Sequence, residues 1–326
     1  MKNKLLIKNA AVKNNSNVLA GFLLPGLPHI YLAADKNKGW KKIKDAFLSV
    51  KKEIDALNPD ILIVYSTYWP SVIGHQIQAH PNPKWTLVDE QFHALGSIPY
   101  EFKVDTEFAE TYKELACKNG LHARTVAYDG FPIDTGSVVA LKLVNPDNKY
   151  PVTIVSSNVY SDRAETIVLG KSAREALNQT DKKAVVISIS SLSNRLSDLK
   201  DFKEDKINSL KDHEWNQKII EFLSAGRLED VSQLSRQIHK EARVQKVNNF
   251  KAFWWMAAVM GQNNKYVGNV LAYEPVQGTG AAVVGLTPSP QAARDLEFDE
   301  DDPQKYLGER NVLGEIPKHN SFDEVK

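Results

Sequence analysis

The chain has 326 residues, with 41 basic side chains against 40 acidic ones and a single cysteine, Cys117. The balanced charge gives no electrostatic reason to expect nucleic acid or an anionic membrane as a partner. One cysteine excludes an intramolecular disulfide and a cysteine-based zinc site. The length suffices for one large domain or two ordinary ones, with a sizeable core. The opening MKNKLLIKNAAVKNNSN has too short an apolar run for a secretory signal, and there is no apolar window of ~20 residues. The expectation is a soluble, cytoplasmic protein.

In chain order, VLAGFLL at 18–24 is a short apolar run ended by Pro25-Gly26, the pattern of a buried strand. From 40 to 57, Trp40, Ile43, Phe47, Val50, Ile54 and Leu57 recur at helical spacing with lysines between them. Pro59 stops that helix, and ILIVYS at 61–66 reads as a second buried strand. Residues 105–119 predict a helix through Phe108, Tyr112 and Leu115, stopped at Asn119-Gly120. PVTIVSS at 151–157, a helix over 162–178 and KAVVISIS at 183–190 continue the rhythm. Helices at 213–224 and about 227–245 precede the very apolar FKAFWWMAAVM at 250–260. NVLAYEPVQGTGAAVVGL at 269–286 reads as two strands joined across a glycine-rich turn.

This alternation predicts an α/β fold, a single domain with a central mixed sheet covered by helices on both faces. The boundaries are an N-terminal arm at 1–16, the α/β domain at 17–288 and a polar tail at 289–326. The tail carries an acidic cluster from Glu297 to Asp302. Its composition suits either a disordered extension or an arm that wraps a partner through Leu296, Phe298, Tyr306 and Ile316.

Local motifs supply no catalytic site. None of the eight histidines forms an HExxH or H-x-H motif, and His75 and His80 stand five apart in GHQIQAHP. QGTGAAVVG at 277–285 lacks the G-x-G-x-x-G spacing of a phosphate-binding turn. SISSLS at 188–193 contains no G-x-S-x-G elbow. Cys117 sits on a helical pattern and reads as packing. The aromatic group Phe250, Phe253, Trp254 and Trp255 reads as core or interface.

Several stretches together resemble the class III extradiol ring-cleavage dioxygenases of the protocatechuate 4,5-dioxygenase type. They are GFLLPGLPHIYL, NPDILIVYSTYWPSVIGHQ, FPIDTGSVVALKLVNPDNKYPVTIVSSN, AVVISISSLSN and FKAFWWMAAVMG with the GTGAAV that follows. The resemblance spans most of residues 17–287 and is strongest to the two-subunit, 2-aminophenol-cleaving branch. It implies an Fe(II) site of two histidines and a glutamate with open positions for the aromatic ring and O₂.

This sequence departs from that pattern at five positions. Gly26 and Tyr68 stand at the two histidine ligands, with His29 kept as the second histidine of the first loop. Val247 aligns with the glutamate. Asn194 replaces the acid–base histidine, and Thr135 replaces a substrate-facing tyrosine. The resemblance therefore implies a vestigial site with no catalytic residue, no metal and no cofactor in this chain. It implies a non-catalytic alpha-type subunit that stabilises a homologous catalytic beta subunit carrying Fe(II), assembled as two alpha and two beta chains. Two other readings stay open. One is a stand-alone small-molecule binding protein that uses the emptied pocket. The other is a metal enzyme with relocated ligands such as His75 and His80.

Overall fold

The computed structural model describes residues 17–193, 210–241, 250–276 and 278–292, with side chains 236–241 left aside. Positions Asn194 and Val247, the N-terminal arm and the tail beyond 292 lie outside the described residues.

Four strands form the centre: β1 (Val18–Leu24), β2 (Ile61–Ser71), β7 (Val152–Asn158) and β8 (Ala184–Ile189). They pair in parallel, β2 with β7 and β8, and β8 with β1. The sheet is mixed, as the alternation predicts, and eight-stranded in the order β6-β3-β7-β2-β8-β1-β10-β9. β9 (Tyr266–Val276) and β10 (Thr279–Pro288) form the expected antiparallel hairpin, turned at Gly278 with φ of 78°. At the opposite edge lie β3 (His75–Gln78), antiparallel to β7, and β6 (Ala123–Val126), parallel to β3. β4 (Lys84–Leu87) and β5 (Ile98–Glu101) make a separate two-stranded ribbon. The four-residue strands β3 to β6 carry too few residues for an alternating pattern to be legible, and the sequence reading did not include them.

Successive residues of the central strands point to opposite faces, and helices cover both. On one face Ile61, Ile63, Tyr65 and Val186 pack against α3 (Thr106–Lys118), α5 (Arg163–Thr180) and α8 (Lys251–Met260). On the other, Leu62, Val64, Val185 and Ile187 pack against α2 (Lys38–Leu57) and α4 (Thr135–Val144). α2 starts two residues before its predicted onset because the Asn37 side chain accepts from the Gly39 and Trp40 amides. Asn58 ends it in the left-handed region with φ of 44°. α4 is a helix the sequence reading missed. TGSVVALKLV is apolar almost all round and buried all round, so it shows no 3.6-residue stripe. α1 (His29–Leu32) is a single turn, and α6 (Leu210–Ser224) and α7 (Leu228–Glu241) pack near α8. Among the described residues no helix is long and apolar enough to cross a membrane.

Every residue of α8 is buried within the chain. Trp255 stacks on Tyr65 at 5.2 Å, and its Nε1–H donates to the Tyr112 hydroxyl at 3.0 Å, which in turn donates to the Leu169 carbonyl. Of the two roles open to this aromatic group, it fills that of core. Trp255→Ala is expected to cost about 3–5 kcal/mol in urea unfolding. Trp85→Ala, at a position 59% exposed, is expected to stay within about 0.5 kcal/mol. An unchanged urea midpoint for Trp255→Ala would contradict this placement.

Candidate functional site

In open α/β sheets, ligands bind outside the carboxyl ends of the parallel strands. Here those ends are tied together. The Ser190 amide donates to the Leu24 carbonyl at 2.9 Å, and the Thr67 hydroxyl donates to the Ile189 carbonyl at 2.8 Å. β2 pairs with β7 up to Ser66–Ser156 and resumes at Pro70–Ser157. The intervening residues 67–69 have no partner on β7. This interruption turns Tyr68 toward the chain that follows β1.

Tyr68 packs where two glycines meet. A Cβ built on Gly26 would lie 2.6 Å from the Gly136 Cα, 2.7 Å from Ile189 Cγ2 and 2.8 Å from Tyr68 Cε2. A Cβ on Gly136 would lie 2.7 Å from Tyr68 Cδ2. The phenol ring therefore fills the space beside Gly26. Its hydroxyl is shielded from solvent. The Ser191 hydroxyl and the Gly26 backbone lie beside it and draw its pKa down somewhat, but neither reaches it with the alignment of a full hydrogen bond. Burial dominates and pushes the phenol up to about 12, so Tyr68 is neutral near pH 7.

Asp134 caps α4. Its Oδ1 accepts from the Ser66 hydroxyl at 2.7 Å and the Ser137 amide at 2.9 Å, while Oδ2 is shielded from solvent with no hydrogen-bond partner. Burial raises this carboxyl above its ordinary range, against the Ser137 hydroxyl, the Ser66 hydroxyl and the Ser137 amide, which draw it down. Thr135 donates to Asp89 Oδ2 at 2.7 Å. Asp89 Oδ1 accepts the Gln91 and Phe92 amides, which folds residues 89–92 over the site. Phe92 meets the His29 ring edge-on at 4.5 Å, and His29 stacks on Trp40 at 5.4 Å. Burial lowers the His29 pKa to about 4, with Asp89 pulling it partly back, and its Nδ1 has no partner. Between the 89–92 segment and Tyr68 lies a cavity of about 570 Å³, lined by Leu27, Tyr68, Phe92, Ile133, Asp134 and Thr135 among others.

The structure thus brings Gly26, Tyr68 and Thr135 together, with His29 packed behind Phe92. The sequence reading passed over Asp134 and Asp89. The available signal was D-T-G-S, an aspartate three residues before a serine, which reads as a helix cap. His75 and His80 do not form a site with each other. His75 is buried, whereas His80 meets Asp129 at 2.7 Å on the surface. Among the described residues no three His, Cys, Asp or Glu side chains are grouped to hold a metal. A facial Fe(II) site needs two imidazoles and a carboxylate. Gly26 offers no donor and Tyr68 only a neutral phenol, so the residues present at these two positions do not fit that ion.

The family described as the catalytic LigB subunit of aromatic ring-opening dioxygenase matches residues 20–284. The chain belongs to this family. It is 31% identical over 271 residues to the 2-aminophenol 1,6-dioxygenase alpha subunit of Pseudomonas sp, covering 82% of this chain and 98% of that one. It is 28% identical over 289 residues to the beta subunit of the same name from Pseudomonas sp, covering 83% and 94%. The Escherichia coli 3,4-dihydroxyphenylacetate 2,3-dioxygenase matches at 24% over 177 residues, 53% of this chain and 64% of that one. In fold, the chain is similar to the crystal structure of uncharacterized protein JW3007 from Escherichia coli K12. That likeness has a TM-score of 0.56 at 14% identity, and covers 82% of this chain and 99% of that one. This LigB-family chain thus keeps the sheet and the loops at its carboxyl edge, with Gly26 and Tyr68 at their meeting point.

Two outcomes are expected. Gly26→Ala meets the backbone of Gly136, which cannot rotate away, and should cost about 1–3 kcal/mol in urea unfolding. An unchanged midpoint would contradict the close approach. His75, 3% exposed and lowered from 6.5 to about 4 by burial with Lys251 and His122 adding to it, binds its proton more readily in the unfolded chain. Its contribution is whole above about pH 7 and is lost as pH falls from about 6.5 to about 4, amounting to roughly 3 kcal/mol. The stability profile of His75→Gln should be flatter across that window, and parallel profiles would contradict the assignment.

Proposed function

We propose that this chain is the non-catalytic, alpha-type subunit of a heteromeric ring-opening dioxygenase. In this reading it holds no Fe(II) and stabilises a homologous beta subunit that does. The observation that carries it is the Tyr68 ring against Gly26, a neutral phenol in the space of a metal-site loop. The similarity to both the alpha and the beta subunits of 2-aminophenol 1,6-dioxygenase supports a partner of the same fold. It also supports 2-aminophenol as the substrate of the complex, with 2-aminomuconate 6-semialdehyde as product. Two alpha and two beta chains is the assembly this reading expects. Asn194 cannot shuttle a proton as an imidazole does, and Val247 has no donor atom. Both substitutions agree with a site that has lost its chemistry.

The test is co-expression with a homologous chain that keeps both histidines and the glutamate. The pair should co-purify, carry iron in proportion to the partner alone, and open the ring of 2-aminophenol. The present chain purified by itself should contain no stoichiometric iron and give no ring-opened product. Iron and turnover in the isolated chain would overturn the reading.

A further inference from the structure

The charges of this chain balance overall but are unevenly placed. Residues 36–44, KNKGWKKIK, carry five lysines and no acid, and residues 295–302, DLEFDEDD, carry six acids and no base. The lysines stand at the start of α2, whose inner face is committed to the core through Ile43, Phe47, Val50 and Ile54. Its outer face is a stripe at helical spacing: Lys38, Lys41, Asp45, Leu48 and Lys52. All five are exposed, and among them Leu48 is an apolar side chain 45% exposed. The course of the chain leads the acidic run toward this stripe. Near the start of α2, Lys42 Nζ meets Glu274 of β9 at 2.8 Å. Near its end, Glu53 Oε2 stands 3.9 Å from a Cβ built on Gly285 of β10. The Ser289 amide then donates to the Lys265 carbonyl at 2.8 Å, so the chain leaves β10 at the Glu53 end of the helix. From Glu53 back to Lys41 is about 18 Å along the helix axis. An extended chain covers about 3.3 Å per residue, so residues 293–302 can span about 33 Å. The order also matches. Leu296 and Phe298 come first, within reach of Leu48, and Asp299–Asp302 follow, within reach of Lys44, Lys41 and Lys38.

We propose that residues 293–302 dock in cis along the outer face of α2, with Leu296 and Phe298 on Leu48 and Asp299–Asp302 on Lys38, Lys41 and Lys44. One exposed ion pair contributes little. Several pairs on one short tether, with an apolar contact beside them, act at the high effective concentration of a linked segment. Asp45 is the one acid on the stripe and opposes the docking at that point. The proposal stands independently of whether positions 26 and 68 hold iron. A docked segment covers this face of α2, and a partner chain that uses the face must first displace it.

Zero-length carbodiimide crosslinking of the purified full-length chain, followed by peptide mapping, decides it, because the reagent joins a lysine amine only to a carboxylate it touches. Amide links should join residues 295–302 to Lys38, Lys41 or Lys44 within the monomer. They should outnumber links to Lys265, the exposed lysine beside the point where the chain leaves β10. Their yield should hold when the protein is diluted, and should fall several-fold in about 1 M NaCl, where the screening length is about 3 Å. Leu48→Asp keeps every lysine, sits at an exposed position that the fold tolerates, and should lower the yield several-fold. Links from residues 295–302 confined to other lysines, or an unchanged yield in Leu48→Asp, overturn the proposal. Links that appear only in dimers and fade on dilution also overturn it, and assign the face to a second copy of the chain.

Discussion

β2 stops pairing with β7 after Ser66 and resumes at Pro70, and the candidate site depends on that interruption. The three residues released between them carry Tyr68 across to the end of β1. There its ring lies against Gly26 and Gly136, at positions where a Cβ would collide. The two glycines and the phenol specify one another: a side chain at either glycine displaces the ring or the backbone. The start of α4 is held in the same place, because Ser66 on β2 donates to the capping carboxylate of Asp134. Thr135 then reaches Asp89, and the 89–92 segment closes the cavity from outside. A strand irregularity, a helix cap and a turn thus build one pocket.

Neither core requires a metal. Both faces of the parallel strands are filled by aliphatic and aromatic side chains from helices on each side. Trp255, Tyr112 and Tyr65 satisfy their polar atoms among themselves or through neighbours on the same face. The sheet therefore presents its carboxyl edge whether or not that edge carries chemistry. A family whose description names a catalytic subunit can include a chain with glycine and tyrosine at the centre of that edge. Three buried polar atoms without a hydrogen-bond partner lie there, Tyr68 Oη, Ser191 Oγ and Asp134 Oδ2, and others such as Gln78 Nε2, Thr153 Oγ1 and Asn264 Nδ2 lie elsewhere in the fold.

The central strands were legible because each is an unbroken apolar run with a stop signal after it. β1 and β8 agree with their sequence ranges to within a residue, and the long helices are bounded by Asn37, Asp105 and Asp162 as caps. β3 to β6 were not legible, since four residues on an edge or in a ribbon carry no usable period. α4 was hidden by its own burial. Gly26 and Tyr68 were legible only through resemblance, as nothing in their local pattern announces a site. That the Tyr68 ring fills the space beside Gly26 depends on the 67–69 bulge, a property of pairing between strands some 85 residues apart in the chain. Asp134 escaped notice because a capping aspartate looks purely local.

The most direct test of the central claim is a crystal structure of this chain in complex with a homologous chain that keeps both histidines and the glutamate, with anomalous difference maps collected on both sides of the iron edge. The account predicts an iron peak in the partner alone and the ordered Tyr68 ring beside Gly26 in this chain. An iron peak between Gly26 and Tyr68, with the ring displaced to admit it, would contradict the account.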